Sequence, residues 1–232
     1  MSTTEKNSST ALQDLLSKLD VDLVGVVRLA DWKNTRMWEA ARKLLPQARS
    51  VVVLAMGISR EVLDLASPGM EMGAASLNDL VARDAEFLYG RLTKASYDIA
   101  KASRTVGFRA LPLPGAGCPT DRRFLESVFS YKHAAQAAGL GKFGKHSLII
   151  TSEFGPRVRF SCCLTEAPLE PTVGSTVKEC GSCRICIDKC PAQALAEPAG
   201  EEPYAIDKFA CTTFLTASGA CIECLRHCPA GK

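Results

Sequence analysis

The residues best equipped for chemistry lie at the end of the chain. Cys180, Cys183, Cys186 and Cys190 stand in C-G-S-C-R-I-C-I-D-K-C-P, Cys211 stands alone, and Cys221, Cys224 and Cys228 stand in C-I-E-C-L-R-H-C-P. These eight thiols, of 11 in the chain, either bind metal or bond to one another. Two residues between successive cysteines let one tight loop aim three thiolates at a common centre. The prolines after Cys190 and Cys228 turn each last thiol away from that loop.

The spacing C-x2-C-x2-C-x3-C-P is the run of bacterial two-cluster ferredoxins, whose fourth cysteine ligates the other cluster. By that rule Cys180, Cys183 and Cys186 share a four-iron cluster with Cys228. Ser218 stands where the second motif would place its first ligand, so Cys211, the remaining thiol of the module, joins Cys190, Cys221 and Cys224 around a second. The expectation is two [4Fe-4S] clusters. Paired structural zinc sites and a set of disulfides are the competing readings, but the third cysteine and the two Cys-Pro endings belong to iron–sulfur loops. Of the remaining thiols, Cys162 and Cys163 fall on an expected strand as buried residues. Cys118, in the loop G-A-G-C-P-T, is either a buried thiol or one near a ligand.

A chain of 232 residues, 47% hydrophobic, 23% charged and with mean hydropathy +0.04, has ample core for one large domain with a small appendix. Its longest strongly apolar stretch, residues 51–56, is too short to cross a bilayer. The polar start, M-S-T-T-E-K-N-S-S-T, carries neither a hydrophobic segment nor a twin arginine, so residues 1–10 are expected to be a disordered lead and the protein cytoplasmic, where thiols stay reduced. A net charge of +3, scattered along the chain, gives no footprint for nucleic acid.

Periodicity supplies the elements that must position the cysteines. Helices are expected over residues 12–19, 35–45, 77–105, 121–138 and 206–217, and strands over 22–29, 108–113, 145–151 and 157–164. The aliphatic run 50–56 reads as a central strand. Residues 165–176, with Pro168, Pro171 and Gly174, read as a linker between a core at 11–164 and a cysteine module at 177–232. The fold class is α+β.

The segment H-A-A-Q-A-A-G-L-G-K-F-G-K-H-S-L-I-I, residues 133–150, followed by the cysteine module, resembles the epoxyqueuosine reductases and the corrinoid-dependent reductive dehalogenases. The next stretch, I-T-S-E-F-G-P-R-V-R-F, is closer to the dehalogenases. The resemblance implies a nitroreductase-like core with a C-terminal two-cluster ferredoxin-like module. It implies cobalamin with its lower base detached, clusters that feed it electrons, a small-molecule substrate, and an external donor such as ferredoxin or flavodoxin.

The residues nominated for the corrinoid are Gly139, Leu140, Gly141, Gly144, Lys145, His146 and Ser147. Glycines there would let the backbone approach a flat ligand; the plainer reading is a capped helix and a tight turn. Glu126 stands near the place of the reductases' catalytic acid, and Tyr131 is the alternative proton donor; a solvated helix face and a core aromatic are their plainer readings. The chain stops four residues after Cys228 without the reductases' helical-repeat extension, so tRNA is not the expected substrate. The competing function is a two-cluster electron carrier with no corrinoid, or with a flavin.

Overall fold

The computed structural model describes residues 3–66, 74–174, 177, 179–218 and 221–231. The chain forms two compact units, and each draws on separated stretches of sequence. The first comprises Met1–Met56, Leu88–Leu140 and Arg159–Gly174; the second comprises Gly57–Phe87, Gly141–Val158 and Ser175–Lys232. The expected division at residues 165–176 is therefore not where the compact units part.

In the first unit, β1 (Leu23–Arg28) pairs antiparallel with β2 (Ser50–Gly57), from Leu23 opposite Ala55 to Arg28 opposite Ser50. The sheet continues to β8 (Val158–Thr165) and β3 (Ala110–Pro112), in the order β1-β2-β8-β3. Val51, Val52, Val53, Leu54 and Ala55 are fully buried, as a central strand of unbroken aliphatic residues must be. Helix α4 (Ala74–Thr105) sends Leu88, Leu92, Ala95 and Ile99 into the core at helical spacing, and Gly107 takes φ +89 just past its end. Ser96 ties α4 to the sheet: its hydroxyl donates to the Cys162 carbonyl at 2.8 Å and accepts the Leu113 N–H at 3.1 Å. Helix α2 (Arg36–Leu44) is capped by Thr35, whose hydroxyl oxygen accepts the Trp38 N–H.

Three expectations need correction. The lead is helical over its described part: α1 (Thr3–Leu16) buries Leu12 and Leu16, and the Ser9 hydroxyl donates to the Pro168 carbonyl. The described part of the supposed linker is a strap packed into the first unit. Ala167 and Leu169 are buried, the Ser50 hydroxyl donates to the Ala167 carbonyl and accepts the Leu169 N–H, and the Thr172 hydroxyl donates to the Ala138 carbonyl at 2.5 Å. Residues 121–138 do not form one helix. They hold a short hairpin of β4 (Thr120–Asp121) and β5 (Glu126–Ser127), then α5 (Tyr131–Ala137) capped by Ser130.

The second unit contains α3 (Arg60–Leu65), the start of α4, the hairpin β6 (Lys142–Phe143) and β7 (Ile149–Ile150), and the cysteine region. That region is built of short pieces: α6 (Ile185–Asp188), β9 (Leu195–Ala196) paired with β10 (Ala205–Ile206), α7 (Lys208–Ala217) and α8 (Glu223–Arg226). The architecture is mixed α/β. No helix among the described residues is long and apolar enough to cross a membrane.

Candidate functional site

Each cysteine is presented by a short turn or helix. The Cys183 N–H donates to the Cys180 carbonyl at 2.9 Å, which tightens the first C-x2-C loop; α6 then carries Cys186, and the Ala194 N–H points at the Cys190 sulfur, 3.4 Å away. Cys211 lies on α7, whose first turn is fixed by the Asp207 carboxylate accepting from the N–H groups of Phe209 and Ala210. Cys224 lies on α8.

Burial pushes the Cys186 thiol up to about 11, and the neighbouring thiols that push it further are Cys180, Cys228 and Cys183. Cys228 is raised by burial first, with Cys180 and Cys183 again among its neighbours. Cys224 is pushed up to about 12 by burial and then by Cys221, Cys211, Cys186 and Cys190; Cys221, raised by burial, also feels Cys190. Cys186 thus has Cys180, Cys228 and Cys183 as electrostatic neighbours, and Cys224 has Cys221, Cys211, Cys186 and Cys190. Crowded, buried thiols resist ionisation until a cation supplies the compensating charge. Among the described residues no three His, Cys, Asp or Glu side chains converge as one metal ion requires. A single zinc would draw four sulfurs to about 3.8 Å from one another.

The glycine turn is closed by the protein itself. Gly139 takes φ +72 in a Schellman cap of α5: its N–H donates to the Gln136 carbonyl and the Leu140 N–H to the Ala135 carbonyl. A Cβ on Gly139 would lie 2.3 Å from the Gly174 Cα, one on Gly141 2.3 Å from the Ile150 carbonyl oxygen, and one on Gly144 2.7 Å from the His146 ring. Leu140 lies against Gly25. His146 is buried, and its Nδ1 accepts the Leu148 N–H; Ser147 is buried with φ +62. The Lys145 ammonium, with its side chain only 12% exposed, sits 2.9 Å from a carboxylate oxygen of Glu197.

Glu126 stands exposed on the β5 edge of the hairpin, opposite Asp121, rather than on a helix. Tyr131 is buried; its hydroxyl donates to the Pro114 carbonyl at 2.7 Å and receives the Cys118 thiol at 3.4 Å, and burial holds its ionisation far above the usual phenol range. Both hydrogen-bonding directions of that phenol are used within the first unit. Cys118, Cys162 and Cys163 are all buried.

No family model matches the chain. A tetrachloroethene reductive dehalogenase of Desulfitobacterium hafniense is 31% identical over 164 residues, 62% of this chain and 28% of that protein. An epoxyqueuosine reductase of Bacillus subtilis is 27% identical over 173 residues, 75% of this chain and 41% of that protein. Among solved structures, a reductive dehalogenase described with a mechanism for B12-dependent dehalogenation superposes with a TM-score of 0.72 at 21% identity, over 96% of this chain and 32% of that one. The epoxyqueuosine reductase of Bacillus subtilis gives 0.58 at 19% identity, over 98% and 66%. The chain is thus similar to both kinds of reductase in sequence and shares their fold. It spans under a third of the length of these two dehalogenases and under half of that of the Bacillus subtilis reductase it matches in sequence.

In this relative of the reductive dehalogenases and epoxyqueuosine reductases, two charged groups near the cysteines escape a reading by motif. Glu197, beyond the first cysteine run, bridges Lys145 and Arg184, the latter between Cys183 and Cys186, with Arg184 Nη1 to Glu197 Oε1 at 2.7 Å. Arg157, in the E-F-G-P-R turn, is 6% exposed and reaches the backbone around Cys228. Neither has a fixed sequence offset from the thiol it serves; only folding brings them together.

Proposed function

We propose that the chain is the iron–sulfur part of a reductase. Cys180, Cys183, Cys186 and Cys228 hold one four-iron cluster, Cys190, Cys211, Cys221 and Cys224 hold the other, and electrons from an external donor pass through them to an acceptor that reduces a small molecule. The supporting observation is that the buried Cys186 has Cys180, Cys183 and Cys228 around it, while Cys224 has Cys221, Cys211 and Cys190 around it beside Cys186. The adjacency of Cys186 and Cys224 brings the sets within electrostatic reach, as transfer between clusters needs. The donor set fits iron–sulfur chemistry. The protein's part is to exclude water from the sulfurs and fix their hydrogen bonds, which sets the potentials.

The acceptor proposed is a cobalamin, by kinship with the B12-dependent dehalogenase. The residues nominated for it do not form a vacant cradle: the Cβ positions at Gly139, Gly141 and Gly144 are taken by the chain's own atoms, and Lys145 is paired with Glu197. The same observation favours a second reading, a two-cluster electron carrier whose acceptor is another protein or a flavin.

Anaerobic reconstitution with iron and sulfide, followed by cobalamin titration read in the visible spectrum, tests both readings. About eight irons per chain with two interacting S = 1/2 signals on reduction supports the clusters. A saturable change in the cobalamin spectrum selects the corrinoid reductase, and no change selects the carrier. Zinc in place of iron, or fewer than four irons, overturns both.

A further inference from the structure

The turn E-F-G-P-R, residues 153–157, has no part in the cluster loops, yet the structure joins it to the last of the eight thiols. The Arg157 guanidinium donates to the carbonyl oxygens of Cys228 at 3.4 Å, Ala230 at 3.1 Å and Gly231 at 2.5 Å. The two backbones meet without side chains between them. A Cβ on Gly155 would lie 2.1 Å from the Ala230 carbonyl oxygen, and one on Gly231 2.2 Å from the Gly155 nitrogen; both glycines take positive φ, +58 and +69. Thr151 and Gly155 form a bridge that holds the turn in place.

All three acceptors of this buried cation are main-chain carbonyls, which carry no charge to balance it. Among the described residues, the charged groups that act on it are Arg60 and Asp64 on α3, of opposite sign and 3.5 Å from each other, and Cys228 once ionised. An unbalanced buried cation is costly, so its presence implies an anion close by. A four-iron cluster with four thiolates carries roughly −2 when oxidised and one more negative charge when reduced.

We infer that Arg157 is a positioning residue and fixed counter-charge for the first cluster: it clamps the Cys228 backbone through three carbonyls and places a buried positive charge beside the only ligand of that cluster contributed from the second cysteine run. This rests on the assignment of Cys228 to the first cluster. A positive charge there favours the reduced, more negative state, so it raises the potential of that cluster.

The test compares the anaerobically reconstituted wild type with Arg157→Gln, Arg157→Lys and Gly155→Ala, with Cys211→Ser used to assign the second cluster's signal. Arg157→Gln is expected to retain iron and shift the oxidised-to-reduced ratio of the first cluster about tenfold toward oxidised at a given potential, 59 mV for a one-electron couple. The second cluster should move far less. Arg157→Lys keeps the charge and should keep the wild-type potential. Gly155→Ala keeps the charge but breaks the backbone contact, and should lose iron from the first cluster first. If Arg157→Gln does not fold, the inference still fails on Gly155→Ala holding full iron at wild-type potential, or on Arg157→Lys shifting tenfold. Equal potentials in Arg157→Gln and wild type overturn it. A wild type that takes up no cluster overturns the assignment of ligands instead.

Discussion

Lys145 Nζ lies 2.9 Å from Glu197 Oε2, and Glu197 Oε1 lies 2.7 Å from Arg184 Nη1, so one carboxylate ties the turn after Gly144 to the first cysteine loop. The neighbouring Lys145 ammonium holds the Glu197 carboxyl below its usual range, with Arg184 adding to the effect. A lysine engaged in this way is a weak candidate for gripping a corrinoid. Lys145→Gln is therefore expected to leave cobalamin uptake, where the wild type shows any, within about twofold, while Glu197→Gln loosens the loop and speeds iron loss to a chelator. Both follow from visible titration and from iron release under bathophenanthroline. Because Glu197 is well exposed, the pair should contribute little to the melting temperature.

The proposed interleaving of the thiols makes a sharper prediction. Cys183→Ser removes a ligand from the first set and Cys190→Ser one from the second, although both belong to the same sequence run. Each variant should keep about four of about eight irons, and the surviving EPR signals should differ. Pairing by sequence run instead of interleaving would give both variants the same surviving signal. Cys228→Ser should match Cys183→Ser, and Cys211→Ser should match Cys190→Ser.

The first C-x2-C loop could be anticipated because it is local: its thiols are aimed by backbone a few residues long, and the Cys183 N–H closes it on the Cys180 carbonyl. The central strand β2 and the buried stripe of α4 were legible for a similar reason, since an aliphatic run or a three-to-four repeat declares burial by itself. Residues 121–138 misled because Phe124, Leu125 and Val128 mimic that repeat. There the Asp121 carboxylate accepts the Arg123 N–H two residues on, Leu125 takes φ +51, and Phe124 and Val128 are left exposed. A local side-chain-to-backbone bond outcompeted the helix. Residues 165–174 and the start of α1 looked loose because their partners, Ser50 and Pro168, are distant in sequence. Arg157 was hidden by the same rule, 71 residues from Cys228.

The glycines can be separated by what stands where a side chain would go. Gly141→Ala puts a methyl 2.3 Å from the Ile150 carbonyl oxygen and 2.7 Å from the Ile149 Cγ2, a backbone clash that no side-chain shift relieves. Overpacking of this kind costs about 1–3 kcal/mol, and melting should drop by several degrees. Gly90, inside α4, has open space at the same position. Gly90→Ala should stabilise by about 0.5–1 kcal/mol and raise the midpoint by about 2 °C, through helix propensity alone. Thermal melts of the two variants in the same redox state measure both effects.

The first unit should lose stability in alkali. Burial pushes the Cys163 thiol from 9.0 up to about 12, and burial raises Cys162 and Tyr131 as well. The folded chain therefore holds protons that the unfolded chain releases, and the stability this contributes is fully present below pH about 9. It is lost progressively as pH rises from there through about 12, by up to about 1.4 kcal/mol per pH unit for each proton withheld. Urea midpoints measured between pH 8 and 11 on the reduced protein should fall, and Cys163→Ala should flatten the decline whatever its stability at pH 8. Parallel curves for wild type and Cys163→Ala would place the alkaline loss elsewhere, in the thiols of the cysteine region.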